Sequence, residues 1–130
     1  MAKKIYVKKP KNILLLDDDS RDILNLKIFL EDEGFNCHVA ENAELAFSIL
    51  RKQPIDVAVV DIVMPGISGE TFIDMAAQNH KGLKFLVHTG IDDFQIPDKL
   101  KKHSVTEDEI LNKPVSDMNA IINKINCLIK

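Results

Sequence analysis

The feature that most constrains this chain is an alternation of two hydrophobic periods. Short, nearly continuous apolar runs, "NILLLD" (12 to 17), "DVAVVD" (56 to 61) and "KFLVHT" (84 to 89), are separated by longer stretches whose apolar residues recur every three or four positions. Runs rich in Val, Ile and Leu without polar alternation suit strands covered on both faces, as inside a parallel sheet. "FNCHVA" (35 to 40) reads as a weaker, alternating strand and "EILNK" (109 to 113) as a short last one. Of the helical stretches, "SRDILNLKIFLEDEG" sets Ile23, Leu26 and Leu30 on one face, with Ser20 as predicted cap and Gly34 as stop. "ENAELAFSILRKQ" repeats the pattern through Ala46, Phe47 and Leu50, with Asn42 as cap and Pro54 beyond the end. "SGETFIDMAAQNH" and "SDMNAIINKINCLIK" supply two more helices, the last reaching residue 130. In the segment 91 to 108, Pro97 permits only a short helix, with Pro97 in its first turn.

Strands alternating with helices imply an α/β fold with right-handed crossovers and helices on both faces of the sheet. Five such units fit a flavodoxin-like, doubly wound, five-stranded parallel sheet of order 2-1-3-4-5. A length of 130 residues suits one domain, expected over 12–130 after a basic leader over 1–11. With 45% hydrophobic residues, 28% charged and a net charge of −3, the composition is globular, neither disordered nor of the strongly basic kind that coats nucleic acid. The apolar part of the leader, Ile5-Tyr6-Val7, is too short for a signal peptide, and no run approaches membrane-spanning length. Cys37 and Cys127 lack both C-x-x-C spacing and disulfide-scaffold density, which suggests free thiols and a cytoplasmic location.

Chemistry is expected where the strands end. The first run ends on Asp17 and Asp18, the third on Asp61, the fourth on Thr89 and the fifth on Lys113. All carboxyl ends of a parallel sheet share one edge, and the first and third strands flank the switch point where such folds bind ligands. Adjacent carboxylates about 4 Å apart repel by about 4 kcal/mol at an effective dielectric of 20, so a cation should compensate them. Hard oxygen ligands open to water suit Mg²⁺, and no Cys or His spacing suggests zinc. With Lys113 beside the cation, a phosphoryl group is the obvious guest. Asp61, alone at its strand end, is best placed as the nucleophile that forms an acyl phosphate, leaving Asp17 and Asp18 for the metal.

"ILLLDD", "VAVVDIVMPGISG", "FLVHTG" and "NKPV", in this order and spacing, resemble the receiver domain of two-component response regulators over about residues 12 to 130. The resemblance implies that Asp61 accepts phosphate from a phosphohistidine on a sensor histidine kinase or histidine phosphotransfer protein. It implies that Asp18 binds Mg²⁺ directly, Asp17 directly or through water, and the Val63 backbone carbonyl as a further ligand. Lys113 would pair with the phosphoryl group and precede a cis peptide at Pro114; the Thr89 hydroxyl would move in to bond a phosphoryl oxygen, with Gly90 leaving room beside it. The downstream partner would be a protein, with no direct contact to nucleic acid or membrane.

Three departures stand out. Ile110 occupies the place where receivers often carry an aromatic switch residue. Pro97 suggests a shortened or displaced fourth helix. Val63 and Ile91, apolar two positions past Asp61 and Thr89, suggest poorly positioned attacking water and a long-lived acyl phosphate.

Other residues take plainer readings. Asp19 is read as a helix cap or solvated acid, Asp92 and Asp93 as a solvated loop, and His88 as a core or partly buried histidine on the other side of its strand. His38, His80 and His103 are read as surface residues, Cys127 as core packing, and Met64-Pro65-Gly66 as a turn. Two rival functions remain. "DDDS" also fits a haloacid dehalogenase-like phosphatase with Asp17 as nucleophile and Asp19 as general acid, with Thr89 and Lys113 as its later motifs. The other rival is a receiver-like interaction module that is never phosphorylated.

Overall fold

The computed structural model describes residues 10–129 other than Pro114 and Ser116. The first nine residues of the predicted leader and the expected cis peptide at Pro114 lie outside the described residues. The elements run β1 (Asn12–Leu16), α1 (Ser20–Asp32), β2 (Asn36–Ala40), α2 (Ala43–Lys52), β3 (Val57–Asp61) and α3 (Gly69–Asn79). They continue with β4 (Lys84–Thr89), α4 (Asp98–Lys101), a 3₁₀ turn (Glu107–Glu109), β5 (Ile110–Asn112) and α5 (Met118–Leu128). The strands form one parallel sheet of order β2-β1-β3-β4-β5, as the alternation predicts.

Strand periodicity divides the core. Ile13, Leu15, Val57, Val59 and Leu86 face α1 and α5, where Leu26, Leu30, Ile121 and Ile125 cover them. Leu14, Leu16, Ala58, Val60 and Val87 face the other way, toward Ala46 and Leu50 of α2 and Phe72 and Ile73 of α3. All four aliphatic residues of β1 are at most 1% exposed. At roughly 2 kcal/mol for each buried side chain, about 8 kcal/mol in all, this run outweighs the repulsion of about 4 kcal/mol between acids at its end. Hydrophobic burial therefore places the acids.

Several local expectations change. Ser20 does not cap α1; Asp19 does, as its helix-cap reading expects: its Oδ1 accepts from the amides of Arg21 (3.0 Å) and Asp22 (3.3 Å), so Ser20 is already helical. Asn42 caps α2 as predicted. The fourth helix is indeed reduced, to the single turn Asp98–Lys101, with Pro97 as its N-cap, one position before the first turn. α5 stops at Leu128 with Ile129 as its C-cap, and Cys127 on it is exposed, not packed in the core. His103 is no free surface residue, since its Nε2 lies 2.8 Å from Asp74 Oδ1 and ties the end of α4 to α3. His38 and His80 are half-buried. Among the described residues no helix is long and apolar enough to cross a membrane.

Candidate functional site

The carboxyl edge of the sheet gathers the residues that the strand endings single out. Asp17 leaves β1 with its backbone amide still bonded to Ala40 (3.1 Å), so the β1–β2 ladder extends one residue and fixes the carboxylate. Asp17 Oδ1 accepts from the Asp19 amide at 2.9 Å, which leaves Oδ2 facing Lys113. Asp61, the last residue of β3, accepts from the Val63 amide at 3.2 Å. Asp17 and Asp61 are both buried, whereas Asp18 opens to solvent. Lys113 follows β5, and its backbone amide donates to the Thr89 carbonyl at 2.8 Å, which joins the ends of β4 and β5. Its Nζ lies 2.6 Å from Asp17 Oδ2 and 3.6 Å from Asp61 Oδ2.

One carboxylate oxygen from each of Asp17, Asp18 and Asp61 lies within 4.8 Å of the others. An all-carboxylate donor set with one open side fits a hard divalent cation that keeps water ligands, and suits zinc or a softer metal poorly. The charges respond to this crowding. Burial, then the neighbouring Asp17 carboxylate, push Asp61 up to about 6, although Lys113 and the Val63 amide pull the other way. Burial acts to lower the Lys113 pKa, but its hydrogen bond and attraction to Asp17, with further attraction to Asp61, leave it raised. The ammonium therefore stays charged, held by the acids it neutralises.

Thr89 is fully buried, and its hydroxyl accepts from the Ile91 amide at 3.0 Å. Val63 is 62% exposed beyond β3 and Ile91 is 40% exposed, so both line the rim as apolar side chains. His88 is buried on the α1–α5 side of β4, as the strand alternation requires, and burial followed by the nearby Lys113 lowers its pKa. Asp92 lies on the exposed loop after β4, and Asp93 there has φ 54°. Gly90 leaves only ordinary room, because a Cβ there would sit 3.9 Å from Lys113 Cβ.

Two contributors escape the sequence reading. A Cβ at Gly69 would sit 2.0 Å from the Asp61 carbonyl oxygen, so only glycine lets the start of α3 press against the Asp61 backbone. The signal was there in "GISGE", where the second glycine follows the capping Ser68. Asp22, in the first turn of α1, places Oδ2 3.4 Å from Lys113 Nζ. Its position one helical turn beyond Asp18 was the available clue.

Residues 13–126 match the family described as "Response regulator receiver domain". The chain belongs to this family. It is a receiver domain of two-component signalling, a phosphorylation-dependent switch. Curated relatives include the response regulator GtcR of Aneurinibacillus migulanus, 30% identical over 111 residues, a stretch covering 85% of this chain and 45% of the relative. Another is a cyclic di-GMP phosphodiesterase of Thermotoga maritima, 33% identical over 105 residues, 80% of this chain and 27% of that protein. The receiver chain thus spans about half or less of the length of these relatives. Among solved structures, the response regulator TrrA of Thermotoga maritima, in complex with Mg²⁺ and BeF, superposes with a TM-score of 0.79 at 26% identity, covering 91% of this chain and 98% of that one. A CheY-like receiver from Methanospirillum hungatei, 24% identical over 92% of this chain and 94% of its own, has a TM-score of 0.78 and shares the fold.

Proposed function

We propose that Asp61 is the phosphoacceptor of this receiver, with Asp17, Asp18, Asp61 and the Val63 carbonyl as the ligand set for Mg²⁺. The observation that carries this reading is the meeting of Lys113 Nζ with Asp17 (2.6 Å) and Asp61 (3.6 Å) beside a three-carboxylate cluster. The phosphodonor is a phosphohistidine on a sensor histidine kinase or histidine phosphotransfer protein. An Asp61 carboxylate oxygen attacks phosphorus in line, the phosphorus–nitrogen bond breaks, and the imidazole departs with its electron pair and takes up a proton. A bound divalent cation would neutralise charge on the transferring oxygens. Lys113 holds a phosphoryl oxygen on the other side, and Thr89 contributes its hydroxyl once the phosphoryl group has arrived.

The domain labels itself and loses phosphate slowly, without turnover on an external substrate. The modified state changes affinity for a protein partner in the cytoplasm; neither nucleic acid nor membrane is assigned to this domain. The phosphatase alternative needs Asp19 as a free general acid. Asp19 is occupied as the cap of α1, which counts against it.

Incubation with Mg²⁺ and phosphoramidate, followed by intact mass, tests the assignment. Wild type is expected to gain one phosphoryl group and Asp61→Asn none. Equal gain in both proteins, or in neither, overturns the phosphoacceptor, and sustained phosphate release from a small ester favours the phosphatase.

A further inference from the structure

β2 is an outermost strand of the sheet, and among the described residues only β1 pairs with it. The Asn36 amide donates to the Lys11 carbonyl at 2.9 Å and the Ala40 carbonyl accepts from the Asp17 amide at 3.1 Å, so the even-numbered residues of β2 turn their backbone groups toward β1. By the two-residue period of a strand, the amides and carbonyls of Cys37 and Val39 point outward, and none has a partner among the described residues. Outer strands are commonly shielded by shortness, a lysine, a proline or a bulge. β5, on the opposite side, has three residues and runs into Lys113-Pro114. β2 has five residues, "NCHVA", with no lysine, proline or glycine among them.

Apolar side chains collect on both flanks of this open strand. α1 and α2 lie over β1 and β2 from opposite faces. On α1, Asp22, Asn25 and Leu26 turn toward α5, which leaves Leu24 and Ile28 on the β2 side. Lys27 and Glu31, whose charges act on Cys37 of β2, mark the same flank. On α2, the Phe47 ring meets Phe72 of α3 with centroids 4.8 Å apart, so Leu45, two positions earlier, lies on the flank away from α3. Leu24, Ile28, Val39 and Leu45 are all exposed.

We propose that this face binds a second copy of the chain, with β2 pairing antiparallel to the partner's β2 about a two-fold axis at His38. That register joins all of the free groups: Cys37 exchanges a pair of hydrogen bonds with the partner's Val39, and Val39 does the same with the partner's Cys37. The flanks are complementary to themselves under the same axis. α2 is set against its copy in the reverse direction, acidic start against basic end, so that exposed Glu41, next to the N-cap Asn42, comes opposite the partner's exposed Lys52. Leu24 and Ile28 come against the partner's Ile28 and Leu24, and Lys27, closed onto Glu31 at 2.8 Å, adds no net charge there. A stable interface needs about 1,200 Å² or more, beyond what two short strands provide, so these flanks are a necessary part of it. A strand from another protein would use the outward backbone groups but gain nothing from the reversed charge order of α2. Because the paired strands run oppositely, the two Asp61 sites open at opposite ends of the joined sheet, and both stay accessible to a phosphodonor.

Analytical ultracentrifugation over a dilution series tests this with wild type, Val39→Pro, Glu41→Lys, Lys52→Glu and the double exchange Glu41→Lys with Lys52→Glu. Wild type is expected to pass from dimer to monomer on dilution. Val39→Pro deletes an outward amide, and with it half of the bonds across the axis, while the ladder to β1 keeps its donors; it should raise the dimer dissociation constant at least about tenfold. Each single charge change should weaken the dimer by about tenfold, and the double exchange should return it to within about threefold of wild type. Circular dichroism checks that each variant is folded, and the exposed charge variants keep the test open should Val39→Pro fail to fold. A wild type that is monomeric at every concentration overturns the inference. So does a dimer indifferent to Val39→Pro, or a double exchange no tighter than either single change.

Discussion

The two edges of the sheet both carry polar residues at strand ends, and they treat them in opposite ways. At the amino edge, Asp56 Oδ2 accepts from the Asn12 amide at 2.8 Å and Asn36 Nδ2 donates to Asn12 Oδ1 at 2.7 Å. Asn12, Asn36 and Asp56 thus pair with one another across neighbouring strands, and the result is a seam. At the carboxyl edge, Asp17, Asp22 and Asp61 share the ammonium of Lys113, and Asp18 adds a further carboxylate beside Asp17 and Asp61. The seam serves stability, whereas the excess negative charge at the carboxyl edge is of the kind a divalent cation would neutralise. Unbalanced charge on a rigid, buried frame separates a site from a scaffold.

Gly69→Ala should break the contrast most severely. With a Cβ forced to 2.0 Å from the Asp61 carbonyl, α3 must shift, and a loss of about 3 kcal/mol is expected in urea denaturation, together with slower labelling of Asp61. Gly82→Ala is the control, because nothing lies within 4 Å of its Cβ. Equal behaviour of the two variants would remove the close approach of α3 from the account of the site.

The next effect tests whether the carboxyl edge is electrostatically strained. The Asp61 carboxyl is pushed from 3.8 up to about 6, so between these values the folded state holds a proton that the unfolded chain has released. Stability in metal-free buffer should therefore fall as pH rises from about 4 to about 6 and level off above, a penalty of about 2 kcal/mol once the roughly 3 kcal/mol of the full shift is discounted for solvent screening. Asp61→Asn should lack this fall. Mg²⁺ should offset it at pH above 6 by binding the folded state. Parallel pH profiles for wild type and Asp61→Asn would show that the edge is not strained. A smaller loss, about 1 kcal/mol, is expected for Asp56→Ala at the other edge, from one hydrogen bond and with the labelling rate unchanged. A changed rate there would blur the division between seam and site.

What could be read from the sequence follows the range of the forces involved. Strand order and the convergence of Asp17, Asp61, Thr89 and Lys113 rest on hydrophobic period and the geometry of a parallel sheet, both visible one segment at a time. Asn42 and the shortened α4 were legible for the same reason, since a cap and a proline act locally. The misplacements arose where the deciding partner is distant or where neighbours compete. Asp19 wins the cap because its carboxylate reaches two amides that Ser20, already inside the helix, cannot serve. His103 finds Asp74, 29 residues away, across α3 and α4. Cys127 lies on an apolar helix, but only the packing of α5 shows that its face points outward. Gly69 and Asp22 escaped because their local clues, a second glycine after Ser68 and an acid four positions beyond Asp18, do not name the distant partners, the Asp61 backbone and Lys113.

The last predicted effect leaves stability nearly untouched and concerns the rim, where the carboxyl edge meets solvent. Val63 and Ile91 expose 62% and 40% of their surface there, and neither can hydrogen-bond a water molecule approaching the acyl phosphate. A hydrolytic water attacks phosphorus in line, so a polar side chain at either position would orient it at little cost to the fold. Val63→Asn with Ile91→Glu should accelerate phosphate loss from labelled Asp61 by about tenfold, equivalent to about 1.4 kcal/mol of barrier, with stability little changed. The decay of the phosphorylated mass after donor removal measures the rate directly. Decay equal to that of wild type would show that the lifetime of the modified state is set deeper in the site, among Asp17, Asp18 and Lys113, and that the rim adds only shape to the comparison between the two edges.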